Sequence, residues 1–198
     1  MKVLLVNGSP RAKGCTYTAL TIIEEELQKS GIETEILQTG NMPVQAPVRH
    51  AKNVEQLVEA MKKADEADGF IFGSPVHYAG LSANLKAFLD HLFYDSRQSF
   101  AFKPGAAIVS ARRAGTTAAI EQIHKYLNIN SMPIVSAQYW PMVHGQAPAD
   151  VYKDEEGVQV MQMIGKNMAW LLKCIELGKE NGIVHETVED RKWTNFIR

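Results

Sequence analysis

Lys2-Val3-Leu4-Leu5-Val6-Asn7-Gly8-Ser9-Pro10-Arg11-Ala12-Lys13-Gly14-Cys15-Thr16 is the stretch around which the chain is organised. A short apolar run breaks into Gly, Ser, Pro, Arg and Gly and passes directly into a helical pattern, which reads as strand, turn and helix. Such a turn is either an ordinary β-α connection or an anion cradle. The first amides of a helix have no acceptor within it and carry the positive end of its dipole, so they favour a phosphate. Arg11 adds a permanently charged planar fork, and Ser9 and Thr16 add hydroxyls. The spacing excludes two common alternatives: no Gly-Lys-Ser/Thr follows, as a Walker loop requires, and Gly8 and Gly14 do not form Gly-x-Gly-x-x-Gly. No second Arg follows Cys15 in the loop, which argues against a phosphatase nucleophile. At a helix N-terminus the Cys15 thiol is expected to be somewhat acidified, with its backbone amide its main contribution.

Outward from this stretch the pattern repeats. A helix is predicted over 16–30, with Leu20, Ile23 and Leu27 on one face and Gly31 as its stop. A weakly alternating strand follows over 33–37, then a Pro-containing loop over 39–52. Asn53 and Gln56 suggest a capping box for a helix burying Val54, Leu57, Val58 and Met61. Strands three and four, over 69–73 and 106–109, are apolar throughout, as strands covered on both faces are. Each runs into a Gly/Ser-rich turn and a helix. A fifth strand is predicted over 133–137. Val158, Met161, Ile164, Met168, Leu171, Leu172 and Ile175 then mark a long amphipathic helix.

Strands alternating with helices imply a parallel sheet with right-handed crossovers and helices on both faces, an α/β three-layer sandwich. Five strands suit the flavodoxin-like order 2-1-3-4-5, in which the loops after strands one and three flank the ligand-binding switch point. Residues 1–184 are expected to form this domain, and 185–198 a polar, aromatic-ended tail. A formal charge of −1 gives no electrostatic case for a nucleic-acid or anionic-membrane partner. No apolar stretch reaches spanning length and no signal peptide is evident, so a cytoplasmic protein is expected. Two distant cysteines, Cys15 and Cys174, offer neither a disulfide framework nor metal-ligand spacing, and no metal site is expected.

Gly8-Ser9-Pro10-Arg11, Gly73-Ser74-Pro75-Val76-His77-Tyr78 with Ser82, Leu85-Lys86-Ala87-Phe88-Leu89-Asp90, and the closing Trp193-Thr194-Asn195-Phe196-Ile197-Arg198 together resemble NAD(P)H-dependent FMN reductases of the multimeric flavodoxin type. By matching position, the resemblance implies that Ser9, Arg11, Cys15 and Thr16 bind the FMN phosphate. Pro75, Val76, His77 and Tyr78 would pack against the isoalloxazine, and Ser110, Ala111, Arg112 and Arg113 would border it. His77 stands where the family usually has an aromatic residue, so the contact there is either more polar or replaced by a solvent-exposed histidine. Members of the iron–sulfur branch carry a cysteine cluster in the loop before the second helix. This chain has no cysteine over 39–52 and only two in all, too few thiolates for a cluster.

The resemblance implies an NAD(P)H oxidoreductase with a small electron acceptor (quinone, nitroaromatic, azo compound or flavin) and two half-reactions sharing one pocket. Arg112 is a candidate for stabilising negative charge on the flavin ring. His144 is a candidate donor to the acceptor, from an irregular stretch after strand five that also carries Tyr139 and Trp140. Packing on the last helix is an equal account of Trp140. A homodimer or homotetramer is expected, with Trp193 and Phe196 anchoring the tail on a neighbour. The competing readings are an electron-carrier flavodoxin, which the near-neutral charge disfavours, and an interaction protein on the same fold without the cofactor.

Overall fold

The computed structural model describes residues 1–41, 55–95, 97–186, 192 and 194–196. Strands β1 (Lys2–Asn7), β2 (Glu33–Gln38), β3 (Gly69–Pro75), β4 (Gly105–Ala111) and β5 (Met142–His144) form one parallel sheet in the order β2-β1-β3-β4-β5. The helices are α1 (Cys15–Lys29), α2 (Glu55–Glu66), α3 (Ala83–Asp95), α4 (Arg97–Phe100), α5 (Thr116–Ile129), α6 (Pro148–Val151) and α7 (Glu155–Glu180). The expected three-layer architecture and strand order are the observed ones. Asn53, Val54 and the loop from 42 to 52 lie outside the described residues.

The continuous apolar character of the inner strands serves two cores. Leu4, Val6, Phe70, Phe72, Ala107 and Val109 face α2, α3, α4 and α5. The intervening Val3, Leu5, Ile71, Ala106 and Ile108 face α1, α6 and α7. A period of two thus loads both faces with apolar side chains. On the first face Phe70, Phe72, Phe93 and Phe100 form a ring cluster, with Phe93 and Phe100 centroids 4.3 Å apart. On the second, α1 and α7 approach closely at Gly165, where a Cβ would lie 2.7 Å from Glu26 Cβ.

Two elements differ from expectation. The predicted fifth strand makes no ladder: Pro133 O accepts from Gly105 N at 2.9 Å and Val135 N donates to Gly105 O at 2.8 Å, which leaves Ile134 in an isolated bridge to Gly105. The true β5 pairs Met142, Val143 and His144 with Val109, Ser110 and Ala111. Asn167 on α7 donates through Nδ2 to Ser136 O at 2.7 Å, so that carbonyl bonds to a helix. Consequently Tyr139 and Trp140 precede the last strand rather than follow it. Their exposed rings pack on each other 4.8 Å apart. The tail begins with His185 stacked on Phe102 of the same chain at 3.6 Å. Trp193 lies outside the described residues, and Phe196 is exposed.

At the amino edge, Lys2 and Lys63 both pair with Glu35, at 2.9 and 2.7 Å. Hydrogen bonds from Lys63 and then Lys2 hold the Glu35 carboxyl below the usual carboxylate range. A depressed folded value stabilises above the unfolded one and is lost as pH falls through it. Glu35→Gln is therefore expected to cost about 1 kcal/mol or less at pH 7, and nothing at pH 2. Chemical denaturation at the two pH values measures the difference.

Candidate functional site

The parallel sheet delivers the loops after β1, β3, β4 and β5 to one carboxyl edge, and β1 and β3 are neighbours although α1, β2 and α2 separate them in sequence. That adjacency creates the switch point.

The loop after β1 is braced by two amide side chains. Asn7, fully buried at the end of β1, donates through Nδ2 to Ala12 O (3.2 Å) and Gln38 Oε1 (2.6 Å) and accepts from Ser9 N. Gln38 donates to Ser9 O at 2.6 Å. Ser9 Oγ accepts from Arg11 N at 3.1 Å, and Gly14 N donates to Arg11 O at 3.2 Å. Gly40 presses on this loop so closely that a Cβ there would lie 2.0 Å from Ser9 O. Helix α1 then starts at Gly14 with no side-chain cap, its first bond being Thr18 N to Gly14 O. The amides of Cys15, Thr16 and Tyr17 precede that bond at the head of the helix, the arrangement that suits a phosphate.

Cys15 corrects one expectation. Burial pushes its thiol up, and the opposing backbone hydrogen bond does not offset this, so the thiol is not acidified. Thr16 Oγ1 lies 2.8 Å from Ser110 Oγ, both buried, so two hydroxyls expected to touch the cofactor also tie α1 to β4.

Ser82 joins the second loop to the first. Its hydroxyl donates to Gly8 O at 2.7 Å and accepts from Leu85 N at 3.2 Å, and its amide donates to Ser74 Oγ at 3.1 Å. Asn84 Nδ2 donates to Gly40 O. Pro75 ends β3, and Val76 N donates to Ser110 O at 2.9 Å. His77 and Gly80 then exchange backbone bonds of 2.9 Å around Tyr78 and Ala79, whose φ angles are +50° and +58°. This is a two-residue hairpin of the mirror-image type, built without the Asn-Gly that such turns favour. Left-handed backbone at two residues with side chains costs on the order of 1–3 kcal/mol each. The turn rests on α5. Gly115, at φ +89°, leaves room for Ala79, whose Cα would lie 2.7 Å from a Cβ there, and Gln122 Oε1 accepts from Leu81 N at 3.1 Å. His77 is exposed and Tyr78 fully so.

Ser110 and Ala111 close β4 as buried residues, and Arg112 and Arg113 follow as exposed ones. Gly145 N donates to Ala111 O at 3.0 Å. His144, the last residue of β5, places Nε2 3.1 Å from Arg113 O and Nδ1 3.3 Å from Asp154 Oδ2. Its amide donates to the same Asp154 oxygen at 2.7 Å.

The candidate residues thus lie at the strand ends and loops of one sheet edge, whereas Tyr139 and Trp140 lie before β5. Asn7, Gln38, Gly40, Ser82, Gln122 and Asp154 brace the edge and were not singled out as such from the sequence. Among the described residues no group of three or more His, Cys, Asp or Glu side chains could hold a metal ion.

The fold is that of flavodoxin-like α/β proteins. A flavoenzyme NAD(P)H:(acceptor) oxidoreductase from Paracoccus denitrificans superposes with a TM-score of 0.69 at 15% identity, covering 87% of this chain and 97% of that one. The model of the NADPH-dependent FMN reductase family matches residues 1–147, and the chain belongs to that family. It is a flavin oxidoreductase, with FMN as cofactor and NAD(P)H as reductant. An iron–sulfur flavoprotein of Methanocaldococcus jannaschii is 31% identical over 196 residues, covering 89% of this chain and 100% of that protein. An FMN-dependent NADPH-azoreductase of Staphylococcus saprophyticus is 31% identical over 110 residues, 52% of this chain and 57% of that protein. With two cysteines in the whole sequence, this chain lacks the four thiolates of a Cys-ligated cluster.

Proposed function

We infer that this chain passes reducing equivalents from NAD(P)H to a small acceptor such as a quinone, nitroaromatic, azo compound or flavin, by a ping-pong scheme at a single pocket. The observation that carries the reading is the convergence, at the β1/β3 switch point, of an uncapped helix N-terminus with the loops after β3 and β4. The residues present fit FMN. The amides at the head of α1, with Ser9, Arg11, Cys15 and Thr16, would hold the phosphate. Residues Pro75 to Tyr78 and Ser110 to Arg113 would flank the ring. When bound, FMN supplies the redox-active ring that accepts and donates hydride.

The remaining work belongs to the chain. Asn7 and Gln38 hold the phosphate loop rigid before the ligand arrives, which lowers the ordering cost of binding. The strained turn at Tyr78 keeps an aromatic ring in solvent beside the pocket mouth. Arg112 would favour negative charge at the ring edge, and His144 a hydrogen bond to the acceptor. A homodimer or homotetramer in the cytoplasm is part of the same reading, with exposed Phe196 as a candidate anchor.

The test is the visible spectrum of the purified protein. A yellow protein that bleaches on anaerobic addition of NADH or NADPH supports the assignment, and a colourless protein that takes up no FMN removes it. Steady-state kinetics with a quinone should give parallel double-reciprocal lines, and intersecting lines would replace ping-pong with a ternary complex.

A further inference from the structure

His144 stands between two groups that only accept hydrogen bonds. The Arg113 carbonyl faces Nε2 at 3.1 Å, and the Asp154 carboxylate faces Nδ1 at 3.3 Å. A neutral imidazole has one N–H and satisfies one of them, whereas the doubly protonated ring satisfies both. Asp154 is itself fixed, because Oδ1 accepts from Gly157 N at 3.0 Å as the N-cap of α7 while Oδ2 accepts from His144 N. The carboxylate thus cannot turn away from the ring without uncapping the helix.

Among the described residues, the charged groups in the flanking loop and helix starts include these. Arg112 and Arg113 lie in the loop after β4, and Glu155 and Glu156 occupy the first turn of α7. Asp150 of α6 has its Cβ 3.2 Å from where a Cβ on Gly145 would stand, and it is held below the usual carboxylate range, at about 2, first by Lys153. The His144 side chain is 43% exposed, so protons reach it freely.

We propose that Asp154 is a positioning residue and that Asp154 and His144 together form a proton-dependent latch on the loop carrying Arg112 and Arg113. With both ring nitrogens protonated, the latch ties that loop to β5 and α7. With one proton removed, a lone pair meets either the carbonyl or the carboxylate, and one tie is lost. The consequence for flavin binding rests on the reading that this loop borders FMN; the latch itself does not.

Amide NMR of the flavin-free protein decides the latch. Between pH 6 and pH 8.5 the Arg113, Ala114 and Gly115 resonances should move in the wild type. They should stay fixed in His144→Gln, whose amide donates to Arg113 O at any pH. In Asp154→Asn, which keeps an oxygen to cap α7, their positions at pH 6 should match those of the wild type at pH 8.5. Resonances that ignore pH in the wild type, or an Asp154→Asn protein that responds like it, overturn the latch. In a second arm, FMN dissociation constants at the two pH values should weaken about fivefold more in the wild type than in His144→Gln, which cancels titration of the FMN phosphate. Failure of every protein to bind FMN overturns the proposed function and leaves the amide result standing; equal weakening in both proteins overturns the link between latch and flavin.

Discussion

Gly8→Val is expected to lower the unfolding free energy by about 3 kcal/mol and to abolish retention of FMN through gel filtration. A Cβ at Gly8 would stand 2.6 Å from Leu85 Cβ and 2.9 Å from Gly73 O. Neither obstacle is the free end of a flexible side chain. Leu85 belongs to α3, and Ser82 at its head is already bonded to Gly8 O; Gly73 O accepts from Gly8 N at 2.8 Å. Relief must therefore push β1 from β3 or lift α3, and either opens the switch point where phosphate and ring would meet. Urea denaturation gives the first number and absorbance after gel filtration the second. Wild-type values for both would show that the junction of β1, β3 and α3 yields without cost.

Arg11→Ala should separate binding from folding. The residue is exposed, and its described hydrogen bonds are made by its backbone, so stability should change by no more than about 0.5 kcal/mol. A charge-assisted bond to phosphate contributes about 1.5–3 kcal/mol, so the FMN dissociation constant should rise about 10- to 100-fold. Arg11→Lys should recover part of this, since a point charge lacks the bidentate fork. Fluorescence quenching of FMN on titration reads all three proteins, and an unchanged constant in Arg11→Ala would move the phosphate away from this loop.

The inner strands were legible because burial on both faces leaves an unbroken apolar run, as in Phe70-Ile71-Phe72 or Ala106 to Val109. The helices were legible from their stripes, and the candidate site from the two glycine-rich turns that the 2-1-3-4-5 order brings together. The fifth strand was not. Residues 133–137 have strand-like composition but make an isolated bridge to β4 instead of a ladder, while Met142–His144 is too short to show a period. Misplacing that strand misplaced Tyr139 and Trp140 with it. Braces such as Asn7 to Gln38, Ser82 to Gly8 and His144 to Asp154 were hidden for another reason. A polar residue at a strand end carries no signal naming a partner 31 or 74 positions away. Cys15 shows competing effects decided only in three dimensions, since a helix N-terminus lowers a thiol's pKa and burial raises it; here burial prevails.

The brevity of β5 bears on how this protein behaves when crowded. An exposed sheet edge is a template on which another chain can add, and long flat apolar edges seed aggregates. Here one border is three residues long and follows Pro141, and beyond it the early half of β4 is shielded by a segment that begins at Pro133 and makes a single bridge. The opposite border, β2, reads Glu-Thr-Glu-Ile-Leu-Gln, with charge at its start. Both borders discourage strand-to-strand recruitment, including while the slow-forming parallel core is still assembling.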